Sequence, residues 1–187
     1  MEYLENRTFD EIQVGDSAAL TRTLTERDIM LFAVMSGDIN PAHVDPEYAK
    51  NSQVRGVIGH GMWSGALIPT VLGGTQFPEQ GTIYLAQDLR FRVPVAVGNS
   101  ITVKLTATAR DVEKGLSTLE TECVNQEGKV AVSRTAHVIA PRQKSAAPMD
   151  RPARYSSRRR GRALPASRCA GEEPQARALV HRGRAPV

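Results

Sequence analysis

Residues 62–72, MWSGALIPTVL, place apolar side chains nearly all the way round the helix that their spacing describes. A helix without a polar stripe has to be enclosed, so another part of the chain must wrap it. Gly56, Gly59 and Gly61 lead into this segment, and Gly73-Gly74 end it. Downstream the apolar period changes to two, the period of a half-buried strand. Thr82–Val93 reads as one strand, with Ile83, Leu85, Leu89, Phe91 and Val93 facing a core. Ile101–Ala109 alternates with Thr102, Lys104, Thr106 and Thr108 outward. Leu116–Val124 and Lys129–Ile139 flank Gln126-Glu127-Gly128, a hairpin turn with glycine where positive φ is wanted. Successive strands with short connections predict an antiparallel sheet, polar on one side and apolar on the other. The enclosed helix supplies the missing layer, which gives an α+β fold.

The N-terminal part adds one strand and two helices. Ser17–Thr25 alternates, with Ala18, Leu20 and Leu24 on one side. Thr25-Glu26-Arg27-Asp28 resembles a capping box and opens a helix that presents Ile29, Phe32 and Ala33, with Met30 and Val34 beside them. Ser36-Gly37 ends it. Asp45-Pro46 is an N-cap followed by proline at the first helical position, so a short helix over Pro46–Lys50 is expected.

Charge divides the chain in two. Residues 1–144 carry 14 Lys+Arg against 17 Asp+Glu, and residues 145–187 carry 10 Arg against 3 acids. The overall +4 therefore describes a tail, not a nucleic-acid-binding domain. In residues 145–187 Arg, Ala, Pro, Ser and Gly make up 31 of 43 positions, too little apolar area to offset the entropy of ordering. This segment is expected to be disordered, its Arg158-Arg159-Arg160-Gly161-Arg162 run solvated and nucleic-acid binding unlikely. Out-of-frame reading of a GC-rich gene would give the same composition. No apolar run approaches the roughly 18 residues of a membrane span. The acidic start MEYLENRTFDEIQVGD has no apolar stretch of a secretory signal. Cys123 and Cys169 form no CxxC pair and no Cys/His cluster, so no disulfide scaffold and no metal site is expected, and the cytoplasm is the default compartment.

The chemistry concentrates in Ser36–Asp45. Asp38 and His43 stand five residues apart around Asn40-Pro41, and proline forces the chain to turn between them. A turn there brings a carboxylate and an imidazole to one water, a proton-transfer unit near neutral pH. The residues alone leave a second reading open, with Asp38 ending a helix and His43 an ordinary turn residue. Gly59-His60-Gly61-Met62 precedes the enclosed helix, whose unpaired N–H groups and positive dipole end suit a carbonyl oxygen. Gln87 falls on the apolar register between Leu85 and Leu89 and must find a polar partner. Arg90 and Arg92 point outward, toward solvent or toward phosphates.

Together these residues resemble the MaoC-like family of (R)-specific enoyl-CoA hydratases. The pattern D-x-N-P-x-H, followed by H-G-M, stands here as Asp38-Ile39-Asn40-Pro41-Ala42-His43 and His60-Gly61-Met62. Tyr84-Leu85-Ala86-Gln87, Phe91-Arg92-Val93-Pro94-Val95 and Gly98 extend the likeness, which runs from about residue 8 to 140 and covers none of the tail. The resemblance implies the hotdog fold, a long helix wrapped by a curved antiparallel sheet, and a homodimer whose sheets run on. It gives Asp38 and His43 the catalytic roles and makes the Gly61 N–H the donor to the thioester carbonyl. Asn40, Met62 and Pro69 are its further substrate-contacting positions. Pro69 stands near where some members carry a small polar residue, which implies a preference for short acyl chains. The reaction implied is reversible hydration of a trans-2-enoyl thioester, without metal or redox cofactor, with coenzyme A or a pantetheine-bearing carrier protein as part of the substrate. A hotdog thioesterase and a non-catalytic acyl-thioester binding module are the alternatives.

Overall fold

The computed structural model describes residues 3–74 and 81–148. In chain order these are β1 (Tyr3–Glu5), a single 3-10 turn (Phe9–Glu11), β2 (Ser17–Thr23), α1 (Glu26–Ser36), α2 (Pro41–Val44), α3 (Pro46–Asn51), α4 (Gly61–Gly74), β3 (Ile83–Gln87), β4 (Arg90–Phe91), β5 (Ser100–Asp111), β6 (Leu116–Asn125), β7 (Val130–Ile139) and β8 (Ala146–Pro148). The six-stranded antiparallel sheet runs β2-β5-β6-β7-β3, with β4 also pairing β7. It packs on α4, giving the α+β hotdog arrangement.

Alternation decides the long strands. Ile101, Val103, Leu105 and Ala107 of β5 are buried, and Leu119, Cys123, Val132, Ala136 and Val138 continue the same layer through β6 and β7. Against them α4 sets Trp63, Leu67, Ile68, Val71 and Leu72. Each such aliphatic side chain, fully buried, stabilises the fold by about 1.5–3 kcal/mol. Gly128 turns the β6–β7 hairpin at φ 78°, its N–H donating to the Asn125 carbonyl. The capping box at Thr25 forms with Asp28 at its third position: the Thr25 hydroxyl accepts from the Asp28 N–H, and the Asp28 carboxylate from the Thr25 N–H. Burial pushes the Cys123 thiol up to about 12, so it packs as a small hydrophobe.

Four expectations need correction. The stretch Thr82–Val93 is two strands, and it lies at the far edge of the sheet, beside β7, not beside β5. The register shifts between Tyr84 and Ala86, and a one-residue slip reverses which side chains face the core. Ile83 and Leu85, assigned inward by alternation, are 56% and 53% exposed, whereas Phe91, paired with the buried Val132, does face α4 and is 51% exposed because it lines an open cavity. Second, α4 is not enclosed all round: Met62, Ala66, Pro69 and Thr70 form an exposed flank at helical spacing. Third, Met30 and Val34 lie on the exposed side of α1 while Ile29 and Ala33 are buried. Fourth, the ordered chain does not stop at Lys144. β8 pairs with β1, Asn6 N–H donates to the Ser145 carbonyl, and Lys144 Nζ reaches Glu11 at 2.8 Å. These are backbone and ionic links that apolar patterning does not register. The expectation for residues 149–187 lies outside the described residues. Among the described residues no helix is long and apolar enough to cross a membrane.

Candidate active site

The site is assembled by three local devices. Gly37, at φ 76°, donates its N–H to the Ala33 carbonyl and stops α1, so that Asp38 emerges at its end. The Asp38 carboxylate accepts the Asn40 N–H at 3.2 Å, and Asn40 Oδ1 accepts the Ala42 N–H at 3.0 Å. Asn40 thereby caps α2, a four-residue helix begun by Pro41 and carrying His43. Asp45 repeats the device for α3, accepting the Glu47 and Tyr48 N–H groups with Pro46 at the first position.

Two carbonyls then orient the imidazoles. His43 Nδ1 lies 2.8 Å from the Ile58 carbonyl oxygen. A carbonyl only accepts, so Nδ1 carries a hydrogen, and in the neutral ring the lone pair is on Nε2. His60 Nε2 lies 2.9 Å from the Asp38 carbonyl oxygen, which in the neutral ring puts the lone pair on Nδ1. His60 is only 2% exposed, and its Nδ1 has no hydrogen-bond partner among the described residues. Its ring is stacked between Phe32, at 4.8 Å, and His43, at 4.0 Å.

Asp38, His43 and His60 each offer one ligand-capable atom, all within 4.8 Å of one another. The sequence spacing gave no such cluster; the fold collects it. A water, which donates and accepts in several directions, fits among these three atoms.

α4 starts at Gly61, whose N–H has no acceptor inside the helix. A cavity of about 250 Å³ brings Gly61 together with His43, His60, Ser64, Phe91 and Arg92. A Cβ on Gly61 would stand 3.0 Å from the Phe91 ring, so glycine lets the two approach without displacing the ring. On the opposite side of His43 a second cavity of about 200 Å³ is walled by Ile29, Met30, Val44 and Val57.

Of the sequence candidates, His43 and Gly61 share the cavity, and Asp38 belongs to the cluster around His43. Asn40 is exposed and committed to its cap. Met62, 53% exposed, and Pro69 lie on the exposed flank of α4, which contributes Gly61 and Ser64 to the cavity wall; Trp63 turns into the core. Gln87 finds its partners in Thr121, to which its Nε2 donates at 3.2 Å, and in Tyr84, whose hydroxyl donates to Oε1. Burial pushes the Tyr84 hydroxyl up to about 12, so it stays a donor. His60 is the functional side chain to which sequence reasoning gave no role. Its place between two glycines before a helix was visible, but its stacking on residues from α1 and α2 is tertiary.

The chain is similar to known proteins. An (R)-specific enoyl-CoA hydratase of Rhodospirillum rubrum is 42% identical over 133 residues, covering 71% of this chain and 91% of that protein. The unliganded R-hydratase of Pseudomonas aeruginosa superposes with a TM-score of 0.75 at 39% identity, covering 79% of this chain and 94% of that one. The (R)-hydratase of Aeromonas caviae, involved in PHA biosynthesis, gives a TM-score of 0.67 at 37% identity, covering 70% and 98%. The model of the MaoC like domain matches residues 11–129, and the chain belongs to that family.

Proposed function

We propose that the protein hydrates trans-2-enoyl thioesters reversibly to (3R)-hydroxyacyl thioesters. The observation that carries this is the convergence, on one cavity, of a lone-pair nitrogen on His43 with the unpaired N–H of Gly61, with the Asp38 carboxylate beside it. Similarity to (R)-specific enoyl-CoA hydratases over most of the chain supports the same reading. The Gly61 N–H, at the positive end of α4, binds the thioester carbonyl oxygen and stabilises the enolate that forms as C3 is attacked. Asp38 accepts one hydrogen of the water and His43 Nε2 the other. Nε2 takes that proton as oxygen bonds to C3, and the proton is returned to C2 on the same face. One water is thus added across the double bond, and His43 ends as it began.

Coenzyme A or a pantetheine carrier enters as part of the substrate. A homodimer fits the exposed edge of β3 with Ile83, Tyr84 and Leu85, and the exposed apolar flank of α4. Pro69 on that flank meets an enclosed acyl chain only where a second copy covers it. Crotonyl-CoA tests the reading directly. The conjugated enoyl-thioester absorbance should disappear with no thiol released; thiol release would make the protein a thioesterase, and binding without turnover a module.

A further inference from the structure

We propose that the Ser64 hydroxyl is a second hydrogen-bond donor to the thioester carbonyl oxygen, so that Ser64 and the Gly61 N–H bind it as a pair. This rests on the thioester-hydratase reading and adds a residue to its chemistry. Ser64 stands three residues along α4 from Gly61, within about 60° of the same helix face, and both line the cavity that contains His43. A helical side chain leans toward the N-terminus and covers the turn before its own Cα. The Ser64 side chain therefore leans over the first turn of α4, where the Gly61 N–H has no acceptor inside the helix and the positive end of the dipole lies.

The hydroxyl is uncommitted. Ser64 is only 1% exposed, and its carbonyl accepts from the Cys123 thiol at 3.7 Å. Its hydroxyl has no hydrogen-bond partner among the described residues. A hydroxyl inside a helix commonly bonds the carbonyl four residues back, as Thr70 does to Ala66 on the same helix; Ser64 does not. Nor is its Oγ sealed off: the enclosed polar atoms without a partner are His60 Nδ1, Arg110 Nε and Ser117 Oγ. Ser64 Oγ therefore keeps its access from the cavity that the residue lines. A buried hydroxyl that bonds nothing costs stability, and a ligand that fills the cavity supplies the missing acceptor. The other polar side chains of the cavity are engaged. His60 is tied to the Asp38 carbonyl, Arg92 Nε to Ser133 Oγ, and His43 takes the proton of the water. At its reacting end an enoyl thioester has one strong acceptor, the carbonyl oxygen, and that oxygen gains charge as C3 is attacked. Among the apolar walls of Phe91, Val95 and Val132, a donor already aimed at it acts more strongly than it would in water. The hydroxyl keeps its proton throughout, so the course of the water and its protons is unchanged.

The test is Ser64→Ala in the full chain, a change that suits a helix interior. With crotonyl-CoA, kcat should fall about 10²-fold while KM stays nearly constant, because the lost bond is strongest in the transition state. The melting temperature should hold or rise, since the variant removes a buried hydroxyl without a partner. Acetoacetyl-CoA adds a spectroscopic check. Bound as its enolate it shows a near-ultraviolet band that the keto form lacks, and at saturation this band should be about fivefold or more weaker on Ser64→Ala than on the wild type. A kcat within about twofold of the wild type, a loss confined to KM, or no difference in the enolate band would each overturn the proposal while leaving the hydratase reading intact. A melting temperature that falls together with kcat would make Ser64 a packing residue and overturn it as well. A wild type that leaves crotonyl-CoA unchanged overturns the hydratase reading instead.

Discussion

In the proposed mechanism His43 acts as the base, its other nitrogen held by the Ile58 carbonyl, and Asp38 faces the same water from the preceding turn, so that the two groups work as a unit. Asp38→Asn and His43→Gln should each lower kcat by about 10²–10⁴ with little change in thermal stability, and the double variant should lose hardly more than either single one. Wild-type-like turnover in either variant would remove the assignment. His60 acts one step back, tying the Asp38 carbonyl and stacking on His43. His60→Phe keeps the stack and loses the hydrogen bond, whereas His60→Gln keeps a donor and loses the stack. If position is what His60 supplies, the Phe variant should lose about tenfold or more in kcat with KM nearly constant, and the Gln variant should recover part of it. Equal, small losses would make His60 mere core filling. At this scale the sequence was informative wherever a role is set locally. Pro41 and the acid–imidazole spacing pointed to Asp38 and His43, and Gln87 was bound to need a partner. The His60 stack draws on α1, α2 and the approach to α4, so no local pattern displayed it.

In the proposed mechanism α4 contributes its first residue to chemistry, and its buried face stabilises the fold. Gly61 sits where a methyl group would press on the Phe91 ring at 3.0–3.1 Å. Gly61→Ala should therefore displace the ring or tilt the first turn, and lower kcat/KM by about tenfold. Adding Phe91→Leu should return most of that loss, since it removes the obstruction; no recovery would mean that the glycine matters for another reason. The central strands β5, β6 and β7 were legible because one face is buried and the other is wet, which enforces strict alternation. β3 and β4 misled for the opposite reason. An edge strand with apolar residues on both faces and a register shift has no single inward side, and its place beside β7 is decided by pairing across more than forty residues of sequence. The exposed flank of α4 escaped notice likewise, because an exposed apolar residue reads the same in the sequence as one in the core.

For the whole molecule, composition located a boundary but set it too early. β8 lies beyond the composition break and is held to the N-terminal strand by backbone pairing, with Lys144 bonded to Glu11 and to the Asn6 carbonyl. That clamp is acid-sensitive. The Lys144 ammonium first, and then the Thr8 N–H, hold the Glu11 carboxyl down to about 2 from 4.5. A carboxyl depressed in the folded state stabilises it above the unfolded value, so the contribution is intact above 4.5 and fades as pH falls toward 2. Amide exchange at Tyr3–Glu5 should quicken across that window, and Lys144→Ala should quicken it already at neutral pH; protection independent of both would show that β-pairing alone holds the clamp. A chain ending at Pro148 should keep fold and turnover, whereas one ending at Lys144 should lose the protection of β1. The account as a whole stands on one water crossing one double bond. The direct measurement is the product formed from crotonyl-CoA in deuterated water. The expected product is (3R)-3-hydroxybutyryl-CoA with a single deuterium at C2 and no free coenzyme A, formed at a rate that Asp38→Asn lowers by about 10²–10⁴. Free thiol with an intact double bond, or the 3S product, would contradict it.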